Sequence, residues 1–262
     1  MNATSTRVRV RFTKAGKVRF LSHRDLARTW ERALRRASVR VAYSEGFSPR
    51  PRISFGLALS TGYESRGEYL DLHLAEGVEV DLESLPHLLT PMLPPGLEVQ
   101  AAVALEPGTD SLQQAVISSQ WLIEVPGIDA QVAGAAVERA LAADSLPITV
   151  ERKGSETTDD VRPGIIAVAV VDPEACPDPA GTGAAGTWLD AELATHPRSL
   201  RPAELLRALH PTWVEGRVIR THQWTLVDGA RREPIALAPE ASAPLVLPTG
   251  ATSAPHAGRR AS

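Results

Sequence analysis

Fourteen of the chain's twenty-eight Lys and Arg residues fall between Arg7 and Ser60, against only three acids, Asp25, Glu31 and Glu45. That local excess of eleven positive charges sits in a 262-residue chain with a formal net charge of −3. A charge split of this kind concentrates anions near one region of the molecule. Only three of the basic residues are lysine, and the chain is rich in Ala, Arg, Pro and Gly. The positions of the arginines therefore carry more information than their identity. They form three groups: Arg7, Arg9 and Arg11; Arg24, Arg28, Arg32, Arg35 and Arg36; and Arg50 and Arg52.

His23 follows Ser22, the expected cap of a helix. The positive end of a helix favours a neutral imidazole, the form that accepts a proton. Metal-independent ribonucleases use such a histidine as general base. The competing reading is a histidine that only packs and hydrogen-bonds, because no partner nucleophile and no convergent second histidine is evident; the same holds for His73. Cys176 is the single cysteine. One thiol builds no disulfide framework, zinc finger or iron–sulfur cluster. Phosphate-binding, dinucleotide-binding, zinc-protease and serine-hydrolase motifs are all missing. No cofactor and no metal site is expected, and catalysis by this chain is less expected than binding. No window approaches eighteen apolar residues, so no membrane span is expected. The N-terminus "MNATST" has no secretory apolar core, which places the expected location in the cytoplasm.

The elements that carry these residues follow from periodicity. "RVRVRFT" alternates, with Val8, Val10 and Phe12 on one side and the three arginines on the other, as in a half-buried strand. "SHRDLARTWERALRRA" opens with an S-x-x-D start signal. At 100° per residue, Leu26, Trp30, Ala33, Leu34 and Ala37 share one face and the arginines share the opposite one. "RISFGLAL" and "EYLDLHL" read as strands, the second with Leu70, Leu72 and Leu74 inward and Tyr69, Asp71 and His73 outward. A proline-broken helix and the strand "GLEVQAAVAL" complete a β-α-β-β-α-β order, the ferredoxin-like signature. The order recurs more loosely after "QWLIEV", with "TWLDAELA" as a candidate inserted strand. The expected fold class is α+β with two tandem ferredoxin-like domains, residues 7–105 and 118–227. Residues 106–117 would link them, and residues 1–6 and the Ala/Pro-rich tail 228–262 would be disordered.

In this layout Arg9, Arg11 and Tyr69 point to the sheet face that the helices leave open. Such a face binds single-stranded nucleic acid, with backbone on cations and bases on rings. The alternative is that Arg9 or Arg11 pairs across strands with Asp71 and that the second domain packs over the sheet. In "GFSPRPR", Pro49 and Pro51 stiffen the backbone around Arg50 and Arg52, and Gly46 permits a sharp turn. The loop either presents the two guanidinium groups to phosphates or is a rigid lead-in to the strand.

"RFLSHRDL", "RALRRA", "YSEGFSPRPRISFG" and "GYESRGEYLDL", together spanning roughly residues 7–75, resemble a bacterial family known as the radical-SAM-linked domain of unknown function. Its members occur alone or fused behind a radical SAM enzyme with a cobalamin-binding region. The resemblance implies an extent to about residue 225 and a stand-alone partner of a radical SAM enzyme in trans. One cysteine cannot supply that enzyme's own cluster. The tandem layout also looks like that of CRISPR repeat-processing endoribonucleases, a likeness of fold alone. The first expectation is a binding module that presents Arg9, Arg11, Arg24, Arg28, Arg50, Arg52 and Tyr69 to an anionic partner, RNA above others. The alternatives are a metal-independent endoribonuclease using His23 and a protein–protein adaptor whose arginine helix docks on an acidic surface.

Overall fold

In a computed structural model of the protein, residues 6–152, 154–171 and 186–237 are described. Cys176 and the greater part of the expected tail lie outside them. The first half runs β1 (Arg7–Lys14), α1 (His23–Arg36), β2 (Ile53–Phe55), β3 (Glu64–His73), α2 (Leu85–Leu89) and β4 (Val99–Leu105). A one-turn helix α3 (Leu112–Ala115) leads into the second half. That half runs β5 (Val116–Pro126), α4 (Ala130–Ala142), β6 (Pro147–Arg152), β7 (Ser155–Asp160), β8 (Ile165–Val170), β9 (Gly186–Ala194), α5 (Pro202–Leu209), β10 (Val218–Val227) and β11 (Ala230–Arg232).

The protein is α+β, with few helices against one nine-stranded, mostly antiparallel sheet. The strand path is β4-β1-β3-β10-β5-β9-β8, with β2 added to β3 and β11 to β10. The two halves therefore share a sheet rather than hang on a linker. The joint is short and parallel, Ile219 and Arg220 of β10 beside Glu64 and Ser65 of β3. β2 pairs further along the same edge of β3, from Ile53 opposite Leu72 to Phe55 opposite Leu70. A fork opens between the two, and it becomes important below.

Alternation places the first core where the pattern of β1 requires it. Val8, Val10 and Phe12 are buried with Leu70, Leu72, Leu26, Trp30 and Leu34 under α1 and α2. Ser22 caps α1 by accepting a hydrogen bond from the Asp25 N–H, as the start signal predicts. A second core lies under α4 and α5.

Three expectations need correction. The inserted element of the second half is the β6–β7 hairpin, which pairs only with itself; "TWLDAELA" is β9, a central strand between β5 and β8. The expected linker 106–117 is packed structure. Leu112 is buried, and the carbonyls of Thr109 and Asp110 accept hydrogen bonds from Arg7 and Arg9. Residues 228–237 of the expected disordered tail are packed structure: β11 pairs with β10, and Ile235 is buried beside Tyr69 and Leu112. At the other end, Thr6 accepts a hydrogen bond from Leu74. The last two corrections share one cause: the sheet face opposite the helices carries apolar and charged groups that must be covered, and segments distant in sequence from β1 and β3 cover them. Deleting residues 228–262 should therefore lower the melting temperature and open Tyr69 and Arg11 to solvent. An unchanged melt would show that residues 233–237 do not hold this face.

Candidate nucleic-acid interface

The arginines of the basic segment divide into two sets. Those of β1 are internal. Arg9 is 3 % exposed and holds Asp71 through two hydrogen bonds, 2.8 and 3.0 Å. Arg11 is 5 % exposed and donates to Gln100 Oε1, the Tyr69 hydroxyl, the Glu233 carboxylate and the Ile235 carbonyl. Gly67 lies close enough to Arg11 that an added Cβ would stand 3.2 Å from its guanidinium. Tyr69 is buried too, and burial raises its pKa well above the usual phenol range. The expectation of an open cationic sheet face is thus overturned for Arg9, Arg11 and Tyr69. The cross-strand alternative holds for Arg9, whose partner Asp71 is its direct neighbour in register. Like charges on one strand face need counter-charges or a cover, and this sheet has both.

The second set faces solvent. Arg24, Arg28, Arg32, Arg35 and Arg36 are exposed along α1, followed by Arg40, Arg50 and Arg52. Among the described residues only Arg28 has a carboxylate within reach, Asp25 at 3.7 Å, and that pair is itself more than half exposed. Such a pair is worth little. The other seven guanidinium groups have no carboxylate partner among the described residues.

The chain between α1 and β2 folds back on itself as a finger. Tyr43 bridges to Pro51, Ser44 N–H donates to Arg50 O, and Ser44 Oγ accepts from Arg50 N–H. Below, Val41 bridges to Leu74, and Arg52 exchanges backbone hydrogen bonds with Ala42 and His73. Gly46 turns the tip at φ +118°, a conformation that side chains disfavour. The next residue, Phe47, carries its ring wholly in solvent. A cleft of about 490 Å³ runs between Arg32, Arg35 and Arg36 of α1 and residues 91–94. A second, of about 350 Å³, lies between Arg35, Arg40, Tyr43 and Pro51. Arg35 lines both, so helix and finger form one continuous surface. Arg50 and Arg52 are exposed on the finger and Arg24 and Arg28 along the helix, while Arg9, Arg11 and Tyr69 are buried on the sheet face opposite α1.

His23 is exposed at the start of α1, with its ring edge-on to Phe55 at 5.1 Å. It opens onto the fork between β2 and β10, where a second charged site escapes sequence reasoning. There Arg220, 1 % exposed, grips Glu68 through hydrogen bonds of 2.6–3.0 Å, donates to Leu57 O and lies over the Trp121 ring. Lys14 is 2 % exposed in the same place. Burial is the main influence on Lys14 and draws its pKa below the usual lysine value; Glu68 acts upward and Arg220 downward. The one sequence signal was Lys14 breaking the alternation of β1. Lys14 falls on the inward side of β1 with Val8, Val10 and Phe12, and the register shifts beside it, with the extra residue on β3 between Ser65 and Glu68.

A model of the family described as an uncharacterized protein conserved in bacteria (DUF2344) matches residues 7–202. The chain belongs to this family. The match spans the arginine helix, the finger, Lys14 and Glu68, and stops before Arg220 and Glu233. No curated protein matches the chain. No helix among the described residues is long and apolar enough to cross a membrane.

Proposed function

We propose that the protein is a non-catalytic binding module for single-stranded RNA, held on the helix–finger surface rather than on the sheet. The observation that carries this reading is the fully exposed Phe47 at the tip of a finger whose base joins a row of unpaired arginines. A ring offers a stacking platform to any base, and guanidinium groups track the phosphates. A protein partner is the weaker fit, because the centres of protein interfaces are depleted of charge and this surface is dense with it. Each half of the chain is read as a ferredoxin-like unit, supported by the orders β4-β1-β3-β2 and β10-β5-β9-β8. The resemblance to radical-SAM-linked domains suggests the finer role: a cytoplasmic protein that presents RNA to a radical SAM enzyme in trans.

The test is RNA binding measured across a salt series. Neutralising about four phosphates gives a log–log slope of roughly −3, from about −0.7 per single-strand contact. Arg50→Ala with Arg52→Ala should flatten it by about one to two units. Phe47→Ala should weaken binding about tenfold with the slope unchanged, since stacking is worth roughly 1–3 kcal/mol per base. Tyr69→Phe, on the covered face, should change neither. No binding of any RNA at low salt would remove the reading. Loss of a protein complex on changing Arg28 and Arg32 would favour the adaptor. Cleavage that His23→Ala abolishes while binding persists would favour the endoribonuclease.

A further inference from the structure

We propose that the cavity between Lys14, His23 and Glu68 is a binding site for one compact oxyanion, a phosphate group. It measures about 50 Å³, room for one compact group and too little for a nucleoside. Leu26, Phe55 and Leu57 supply apolar walls. His23 and Ala58 are exposed, which sets its mouth at the surface.

Lys14 is the reason to expect an anion. Its ammonium has three N–H donors, and a single acceptor is in reach, Leu21 O at 3.3 Å. Among the described residues no carboxylate lies within 4.0 Å of it. Glu68, the carboxylate of the same cavity, gives both oxygens to Arg220. The site thus holds two cations against one anion, and the unmatched one is almost wholly buried. A buried charge without a partner is costly and is retained where something pairs with it. The lowered pKa of Lys14 agrees with this, since an oxyanion would restore what burial removes. The first turn of α1, which supplies His23 and Leu26, adds the favourable end of a helix dipole. The inference stands on Lys14 and does not depend on the RNA reading.

The experiment titrates inorganic phosphate into the full chain and follows backbone amides by NMR. Saturable 1:1 shifts are expected at Lys14, His23 and 55–59. Lys14→Met should weaken binding by at least about tenfold, the worth of a charge-assisted hydrogen bond. Should that variant not fold, the native protein decides alone: phosphate should shift the side-chain ammonium resonance of Lys14 and leave that of Lys17 unmoved. Shifts confined to Arg32, Arg35, Arg36 and the finger, an absence of saturation, or equal affinity in a folded Lys14→Met protein would overturn the proposal. Matched oligonucleotides with 5′-phosphate and 5′-hydroxyl ends then separate two sources. A phosphate-dependent gain lost in Lys14→Met assigns the site to nucleic-acid ends, and equal affinities assign it to a small phosphate compound. Failure of both oligonucleotides to bind would count against the RNA reading alone and leave the phosphate titration standing.

Discussion

Arg220→Ala should lower the free energy of unfolding by about 3–5 kcal/mol, the cost of breaking a buried ion pair from one side. Arg220 is 1 % exposed and Glu68 is 7 % exposed, so neither charge can turn to water when its partner is lost. The arginine also fills the seam between the two cores, donating to Leu57 O and lying 5.2 Å from the Trp121 ring centre. In a chain of this size each kcal/mol moves the melting temperature by about 2–4 °C, which makes the expected fall roughly 6–20 °C. The paired replacement Arg220→Met with Glu68→Leu should cost less than the single change, because it removes both charges and keeps the volume. A single-variant loss under about 1 kcal/mol would show that the seam is hydrated and that the pair does not join the halves.

The seam also marks where sequence reasoning ends. Most of the strands and helices of the α+β fold were legible because strands alternate and helices recur at 3.6 residues, and both are local signals. That β10 would lie parallel to β3 had no local signal. Ile219 and Glu64 belong to different halves, and the contact between them is two residues long. Arg220 was missed for the same reason: the pairing of β1 with β3 brings Lys14 to Glu68, but only that contact adds the arginine.

The arginines show a different limit. Periodicity placed Arg9 and Arg11 on the correct face of β1, but no pattern states whether a face is covered. The cover comes from Leu112 and Ile235, remote in sequence and each in a stretch that reads as linker or tail. Arg50 and Arg52 were legible because their loop is stiffened locally by Pro49 and Pro51 and turned by Gly46. Phe47, between the glycine and the prolines, was passed over. A lone aromatic in a polar loop carries no periodic signal, and its full exposure is visible only once the finger is folded.

Trp30→Ala should cost about 3–5 kcal/mol, the usual penalty for truncating a buried tryptophan. Trp30 lies at the centre of the apolar face of α1, is fully buried, and meets Phe12 edge-to-face at 4.9 Å between ring centres. That contact ties α1 to β1 and adds about 0.5–1.5 kcal/mol beyond burial. Its indole N–H has no hydrogen-bond partner, so a smaller apolar ring loses packing but no polar bond. Trp30→Phe should therefore recover more than half of the loss. The functional consequence follows from geometry. α1 carries Arg24, Arg28, Arg32, Arg35 and Arg36 on the face opposite Trp30, so a helix that slips on the sheet moves the cationic row relative to the finger. RNA affinity of Trp30→Ala should fall at temperatures well below its melting point, and the salt slope should flatten, because a misplaced guanidinium no longer neutralises its phosphate. Chemical denaturation gives the first quantity and salt-dependent binding the second. A melt within about 2 °C of the native protein would contradict the burial of Trp30. Unchanged affinity in a clearly destabilised variant would show that the finger and its two arginines bind without the helix.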